Sequence, residues 1–179
     1  PEGVTLSPDD RWAYVTAETS STVTVIDTTN NQVVKTFMVG NRPRDTAFSP
    51  DGKRAYVSSE LGQSLSVVDV PTHTVVATVP LAFDESVRPV GVLVSPDGSR
   101  IYVANGRGNS VSIIDANTYE LIKTVPVGQR VWGIGLTKDG KKLYAANGPS
   151  NDISVIDTDA GEVITTIKGG DGPWGVAVR

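Results

Sequence analysis

The 179-residue chain has no cysteine, and that absence removes disulfides, thiolate chemistry and cysteine-ligated zinc together. It has a single histidine, His73, which argues against a haem ligand pair or a histidine-rich metal site. No apolar run reaches 18 residues, so no segment spans a membrane as a helix. The net charge is −4 and no block of like charges occurs, which speaks against nucleic acid as a partner. No glycine-rich phosphate loop of the nucleotide-binding types is present. No stretch of ten or more residues shows an apolar period of 3.6, so essentially no helix is expected. No leader segment is visible, which says nothing of compartment in a chain that opens on Pro1.

What the chain does have is repetition. Pro1, Pro43, Pro89, Val131 and Pro173 open five copies of one pattern, at steps of 42, 46, 42 and 42 residues. A fixed step of this size marks an architecture in which no unit buries its own apolar face and each needs a neighbour. Each full copy holds four short segments. They read, for the second copy, PRDTAFSPDG, KRAYVSSE, SLSVVD and VVATVPLA. Segments of about five β-branched, aromatic or apolar residues between turn residues are strands. We label them A to D.

The punctuation agrees. Ser-Pro-Asp-Gly at 49–52 and 95–98 places proline at the second position of a tight turn. Asp27, Asp69, Asp115 and Asp157 close strand C in every copy, where a carboxylate accepts N–H groups two residues on. Their repetition reads as turn chemistry, not catalysis. The sixth position of strand D holds Met38, Pro80, Pro126 and Lys168, and proline and lysine belong on an edge strand. Strand D is therefore expected outermost and strand A innermost. Segments such as VVD and IID are apolar on both sides, as in a sheet covered on both faces.

Four-stranded antiparallel sheets at this repeat length are propeller blades. The expected fold is all-β: a partial β-propeller of four four-stranded antiparallel blades, 1–42, 43–88, 89–130 and 131–172, with one extra inner strand A at 173–179. A parallel β-helix is the runner-up. The surplus strand has no following B, C or D, so the expectation is a C-terminal portion of a longer propeller lacking about three blades. A homodimer completing a ring is the partner expected for such a portion.

The phrases YVSSE, YVANG, VSIID, ISVID, KTVPVG and SPDG resemble the YVTN family of β-propeller repeats over the whole chain. The order PEG…SPD, RPRD…AYVSSELG, VRPVG, TYELIKTVPVGQRVWGIGLT, NGPSNDISVID, PWGVAV is similar to the C-terminal half of the YVTN proteins associated with pyrroloquinoline-quinone-dependent catabolism. That resemblance implies a periplasmic or secreted protein of about seven blades in a neighbourhood of alcohol oxidation, without implying an activity of its own.

Strands alternate in direction, so the D–A and B–C loops share one rim. The residue before each anchor is Arg42, Arg88 or Arg130, then Gly172; the residue after is Glu2, Arg44, Val90, Trp132 or Trp174. The B–C loops add Glu18, Glu60, Asn105 and Asn147. Guanidinium groups from equivalent positions favour an anionic ligand or acidic protein partner, and tryptophans stack a planar group or anchor a partner. The competing reading makes the arginines bridges between blades and the tryptophans a plug. The four-residue insertion of the second copy, in Leu81–Val87, falls on the same rim, where Asp84 and Glu85 have the option of pairing with the arginines. His73 is expected in a solvated C–D turn. The functional expectation is a non-enzymatic binding or scaffold module with no cofactor and no metal. The alternative is an accessory subunit or enzyme of quinoprotein- or haem-linked oxidation, its active elements outside this chain.

Overall fold

The computed structural model describes residues 1–82 and 84–178. Sixteen strands and no helix occur among them. They form four four-stranded antiparallel sheets in the orders β1-β2-β3-β4, β5-β6-β7-β8, β9-β10-β11-β12 and β13-β14-β15-β16. The first sheet comprises β1 (Val4–Leu6), β2 (Trp12–Ala17), β3 (Thr22–Asp27) and β4 (Gln32–Met38). The second comprises β5 (Pro43–Phe48), β6 (Arg54–Ser59), β7 (Ser64–Asp69) and β8 (Thr74–Pro80). The third comprises β9 (Val92–Val94), β10 (Arg100–Ala104), β11 (Ser110–Asp115) and β12 (Leu121–Pro126). The fourth comprises β13 (Val131–Leu136), β14 (Lys142–Asn147), β15 (Asp152–Asp157) and β16 (Glu162–Lys168). Each sheet is one propeller blade, with strand D on one edge as its prolines require. The chain forms two compact units, Pro1–Phe83 and Asp84–Arg179, each carrying two blades.

The same local chemistry builds every blade. In each A–B turn a hydroxyl accepts the N–H five residues on: Trp12 to Ser7, Arg54 to Ser49 and Arg100 to Ser95 at 2.9 Å, Lys142 to Thr137 at 3.0 Å. That hydroxyl donates to the aspartate two residues on, Asp9, Asp51, Asp97 or Asp139. Hydroxyl and N–H donors favour the charged carboxylate, so the proton affinity of Asp97 is pulled down to about 2. In the C–D turns Asp27 accepts the Thr29 N–H at 2.9 Å and Asp115 accepts those of Asn117 and Thr118 at 2.8 and 2.9 Å. These aspartates hold turns, as their repetition indicates.

A bulge recurs in every C–D pair. The register skips Val34, Val76, Ile122 and Ile164 in strand D. All four are exposed, from 46 to 53%. A bulge twists an edge strand and spoils it as a template for stray pairing.

Within each unit the blades pack face to face. The first buries Tyr14, Val23 and Val25 of one blade against Ala55, Val57, Val68 and Val70 of the next. The second buries Tyr102, Val111 and Ile113 against Val131, Ile134, Leu143 and Ile156. Each fully buried Leu or Ile contributes about 1.5–3 kcal/mol.

The extra inner strand is not formed. Residues 173–178 have no ladder and lie beside β13, where the Trp174 carbonyl accepts the Gly133 N–H at 3.1 Å. A strand needs continuous pairing on at least one edge, and among the described residues no run of ladder bonds is made there. Gly133 permits this approach, since a Cβ there would stand 2.7 Å from Gly175 Cα.

Candidate binding site

In the first unit the rim residues converge. Arg42 ends the β4–β5 loop in the left-handed region, at φ 58°, and Arg44 follows in β5. Glu18 and Glu60 leave the ends of β2 and β6. Arg42 Nε lies 3.6 Å from Glu18 and 3.3 Å from Glu60. Arg44, 8% exposed, meets Glu2 at 3.1 Å and Glu60 at 3.5 Å and pairs closely with Glu18. Three carboxylates thus surround two guanidiniums. These ion pairs join two blades, and the local charge is negative. An anion gains nothing from cations already neutralised.

The second unit is built differently. Arg88 Nη1 donates at 2.7 Å to the carbonyls of Glu85 and Val87, which folds the inserted loop back on itself. Leu81 and Val87 of that insertion are buried; Phe83 lies outside the described residues. Arg130, also left-handed at φ 52°, is fixed by its N–H, which donates to Asn109 Oδ1 at 2.7 Å. Its guanidinium sits 4.8 Å above the Trp132 ring. Trp132 in turn stacks on Trp174, with centroids 4.4 Å apart and 20° between planes. A cation and two indoles form one column. Trp174 remains 65% exposed, so its outer side is open.

The side chains of Asn105 and Asn147 turn inward, although the Asn105 carbonyl accepts the N–H of Arg88 at 2.9 Å. Both are fully buried. Asn105 Nδ2 donates to Ser110 and Ser112 at 2.9 Å, and Asn147 Nδ2 to Asp152 at 2.7 Å and Ser154 at 3.0 Å. Glu18 and Glu60 have Arg44 to reach, whereas the equivalent positions beside Asn105 and Asn147 hold Val90, Trp132 and Trp174, and the shorter asparagine arms bond Ser110, Ser112, Asp152 and Ser154 of their own strand C.

His73 also departs from expectation. It is buried, and its Nδ1 lies 2.7 Å from the Tyr14 hydroxyl of the adjacent blade. Trp12 meets its ring edge-on at 4.8 Å. Burial pushes the imidazole's proton affinity down, helped by Lys35 and Arg11 and opposed by Asp69. The signal was present in the repeat: Trp12 stands where other copies have Arg54, Arg100 and Lys142, and His73 where they have Asn31, Tyr119 and Gly161. Two departures from the pattern in successive blades turn out to touch. Among the described residues no group of three or more His, Asp or Glu converges to hold a metal ion, and no helix is long and apolar enough to cross a membrane.

The family model described as Lactonase, 7-bladed beta-propeller matches residues 32–178. No curated protein sequence matches the chain. Among solved structures, Kuenenia stuttgartiensis hydrazine synthase is similar at a TM-score of 0.87 and 26% identity, over 93% of this chain and 48% of that one. The chain therefore spans about half the length of that structural relative.

Proposed function

Because the chain belongs to the lactonase family of seven-bladed β-propellers, a scaffold on which unrelated sites are grafted, we propose that it acts as a binding module whose contact surface is the Arg130–Trp132–Trp174 column. The observation that carries this reading is an indole left 65% exposed while pre-stacked on a second indole under a guanidinium. Such a surface is costly to leave in water and already ordered for contact. It suits a planar group carrying negative charge, as a small ligand or on a protein partner. The ring extends the column on Trp174, and Arg130 at the column's other end orders Trp132 and adds a long-range attraction for the charge that salt screens.

The acid and base groups with identified partners support a role without catalysis. The strand-end aspartates hold turns, the glutamates hold arginines, and His73 is bonded to Tyr14. The test is a fluorescence titration with 2-naphthoate as the planar anionic probe. Saturable quenching is expected in the native chain, its affinity falling at least tenfold in Trp174→Ala and its salt dependence flattening in Arg130→Ala. Equal quenching in Trp174→Ala with native circular dichroism overturns the reading.

A second reading follows from the family description, which names a lactonase. Hydrolysis would draw on Glu18 and Glu60, the carboxylates held beside buried Arg44. Turnover of simple lactones that is lost in Glu60→Gln would establish it over the first. The resemblance to YVTN proteins of quinone-linked catabolism supports a place outside the cytoplasm and an accessory role in that oxidation, and the cysteine-free composition suits it. Fractionation of the native cell tests the compartment.

A further inference from the structure

Where strand B ends, the third and fourth blades carry Asn105 and Asn147, and the second blade carries Ser59. The two asparagines do one job. Each amide nitrogen ties two residues of strand C: Ser110 and Ser112 at 2.9 Å in one blade, Asp152 at 2.7 Å and Ser154 at 3.0 Å in the other. The second blade keeps serines at both strand-C positions, Ser64 and Ser66, but its strand-B arm is one bond shorter. Ser59 Oγ and Ser66 Oγ are buried, at 0 and 1% exposure, and neither has a hydrogen-bond partner among the described residues. Thr46 Oγ1 is also buried and unbonded, where the other blades have Val4, Val92 and Ile134. The ladder puts these three hydroxyls on one face. Thr46 and Ser66 both pair with Val57, and Ser59 lies two residues beyond it. Val57 belongs to the core shared with the first blade, so the hydroxyls lie between the two blades of the first unit.

Buried hydroxyls are bonded as a rule, and rotating a hydroxyl does not help where no partner stands within reach. The group that satisfies these three must both donate and accept. It must be no larger than the amide it replaces. It must also be neutral, because an ion enclosed here would exchange its hydration shell for hydroxyls alone. Water meets all three conditions. The loop glycines mark the place. A Cβ on Gly128 would stand 2.7 Å from the Asn147 amide nitrogen, and a Cβ on the equivalent Gly40 would stand 2.7 Å from Ser59 Oγ, so both loops close over the same point of the blade. We propose that the first unit binds a structural water bridging Ser59 and Ser66, at the place the asparagine amide takes in the second unit, and that Thr46 is hydrated from the same site. Ser59 directly precedes Glu60, so this water adjoins the ion pairs that join the two blades.

A high-resolution crystal structure of the full chain tests this. Expected is an ordered water about 2.6–3.2 Å from both Ser59 Oγ and Ser66 Oγ. Ser59→Asn should expel it, bring the new amide onto Ser64 and Ser66, and raise the melting temperature by about 2–4 °C. Asn105→Ser should create the same water beside Ser112 in the third blade. In solution, magnetic relaxation dispersion of the water signal counts long-lived internal waters. Its amplitude should fall by about one water in Ser59→Asn. Ser66→Ala should lower it too, and carries the solution test should Ser59→Asn fail to fold. Density with no water in reach of both hydroxyls, a metal ion or another solute in its place, or a dispersion unchanged in every folded variant would overturn the proposal.

Discussion

At the scale of single residues, His73 shows how a lone titratable group acquires a role from its neighbours. Its imidazole is enclosed by Trp12 and Tyr14, and burial lowers its proton affinity below the ordinary value of 6.5. The unfolded chain therefore binds a proton that the folded chain resists. Stability rises with pH wherever the unfolded state holds more protons. The contribution of His73 is fully present above about pH 6.5 and is lost as pH falls from there through its lower folded value. The denaturant midpoint is expected to drop between pH 7.5 and 5.5 in the native chain. In His73→Asn, whose replacement is the residue used at the same position in the first blade, that part of the pH dependence should vanish. The turn aspartates act in a separate window, because their depressed carboxyls release stability only as pH falls below the unfolded value of 3.8. An identical slope between pH 7.5 and 5.5 in both proteins would show that His73 is not the titrating group.

At the scale of elements, the four A–B turns are near-identical, and one breaks the pattern. Gly52, Gly98 and Gly140 occupy the left-handed position at φ 69°, 73° and 71°, while the first blade has Asp10 at 58°. A side chain there costs on the order of 1 kcal/mol, somewhat less for aspartate. The contacts that Asp10 makes through its backbone, the N–H to Ser7 and the carbonyl to Thr28, survive loss of the side chain. Asp10→Gly is expected to stabilise by about 0.5–1 kcal/mol and to raise the melting temperature by about 1–4 °C in calorimetry. Gly140→Ala should do the opposite, since its Cβ would stand 2.9 Å from Pro96. Strands, turns and the edge position of strand D were legible because each rests on local chemistry that recurs: β-branched runs and the Asp ending strand C in all four copies, Ser-Pro-Asp-Gly and the strand-D proline (Pro80 and Pro126) in two. The bulges were not, because Val34, Val76, Ile122 and Ile164 look like ordinary strand residues until the register with strand C is known. Site residues were legible by position and less so by role. The position of Arg44 beside Glu18 and Glu60 follows from the repeat, but the inward turn of Asn105 onto Ser110 and Ser112 shows only once the side chains are placed.

At the scale of the whole molecule, stability is a matter of faces. A blade covered on one side only keeps apolar atoms in water, and two blades show it. On β1, Val4 and Leu6 are 68 and 51% exposed; on β16, Ile167 is 46% exposed where its counterpart Val125 of the third blade is 2% exposed. Every residue of β16 is exposed, whereas β8, the same edge strand of the second blade, alternates exposed and half-buried residues. At about 25 cal/mol per Å² of apolar surface removed from water, covering even a few hundred Å² on each face offsets much of the entropy lost on association. A second copy of this chain is one surface of matching kind, since blade packs on blade in both units. Sedimentation of the 179-residue chain at micromolar concentration is expected to show species heavier than the 18.9 kDa monomer, in a proportion that grows with concentration. Ile167→Lys should shift that distribution toward monomer while leaving the first unit's fluorescence unchanged. A single 18.9 kDa species at all concentrations would mean that these faces are tolerated in water, and the association would be withdrawn.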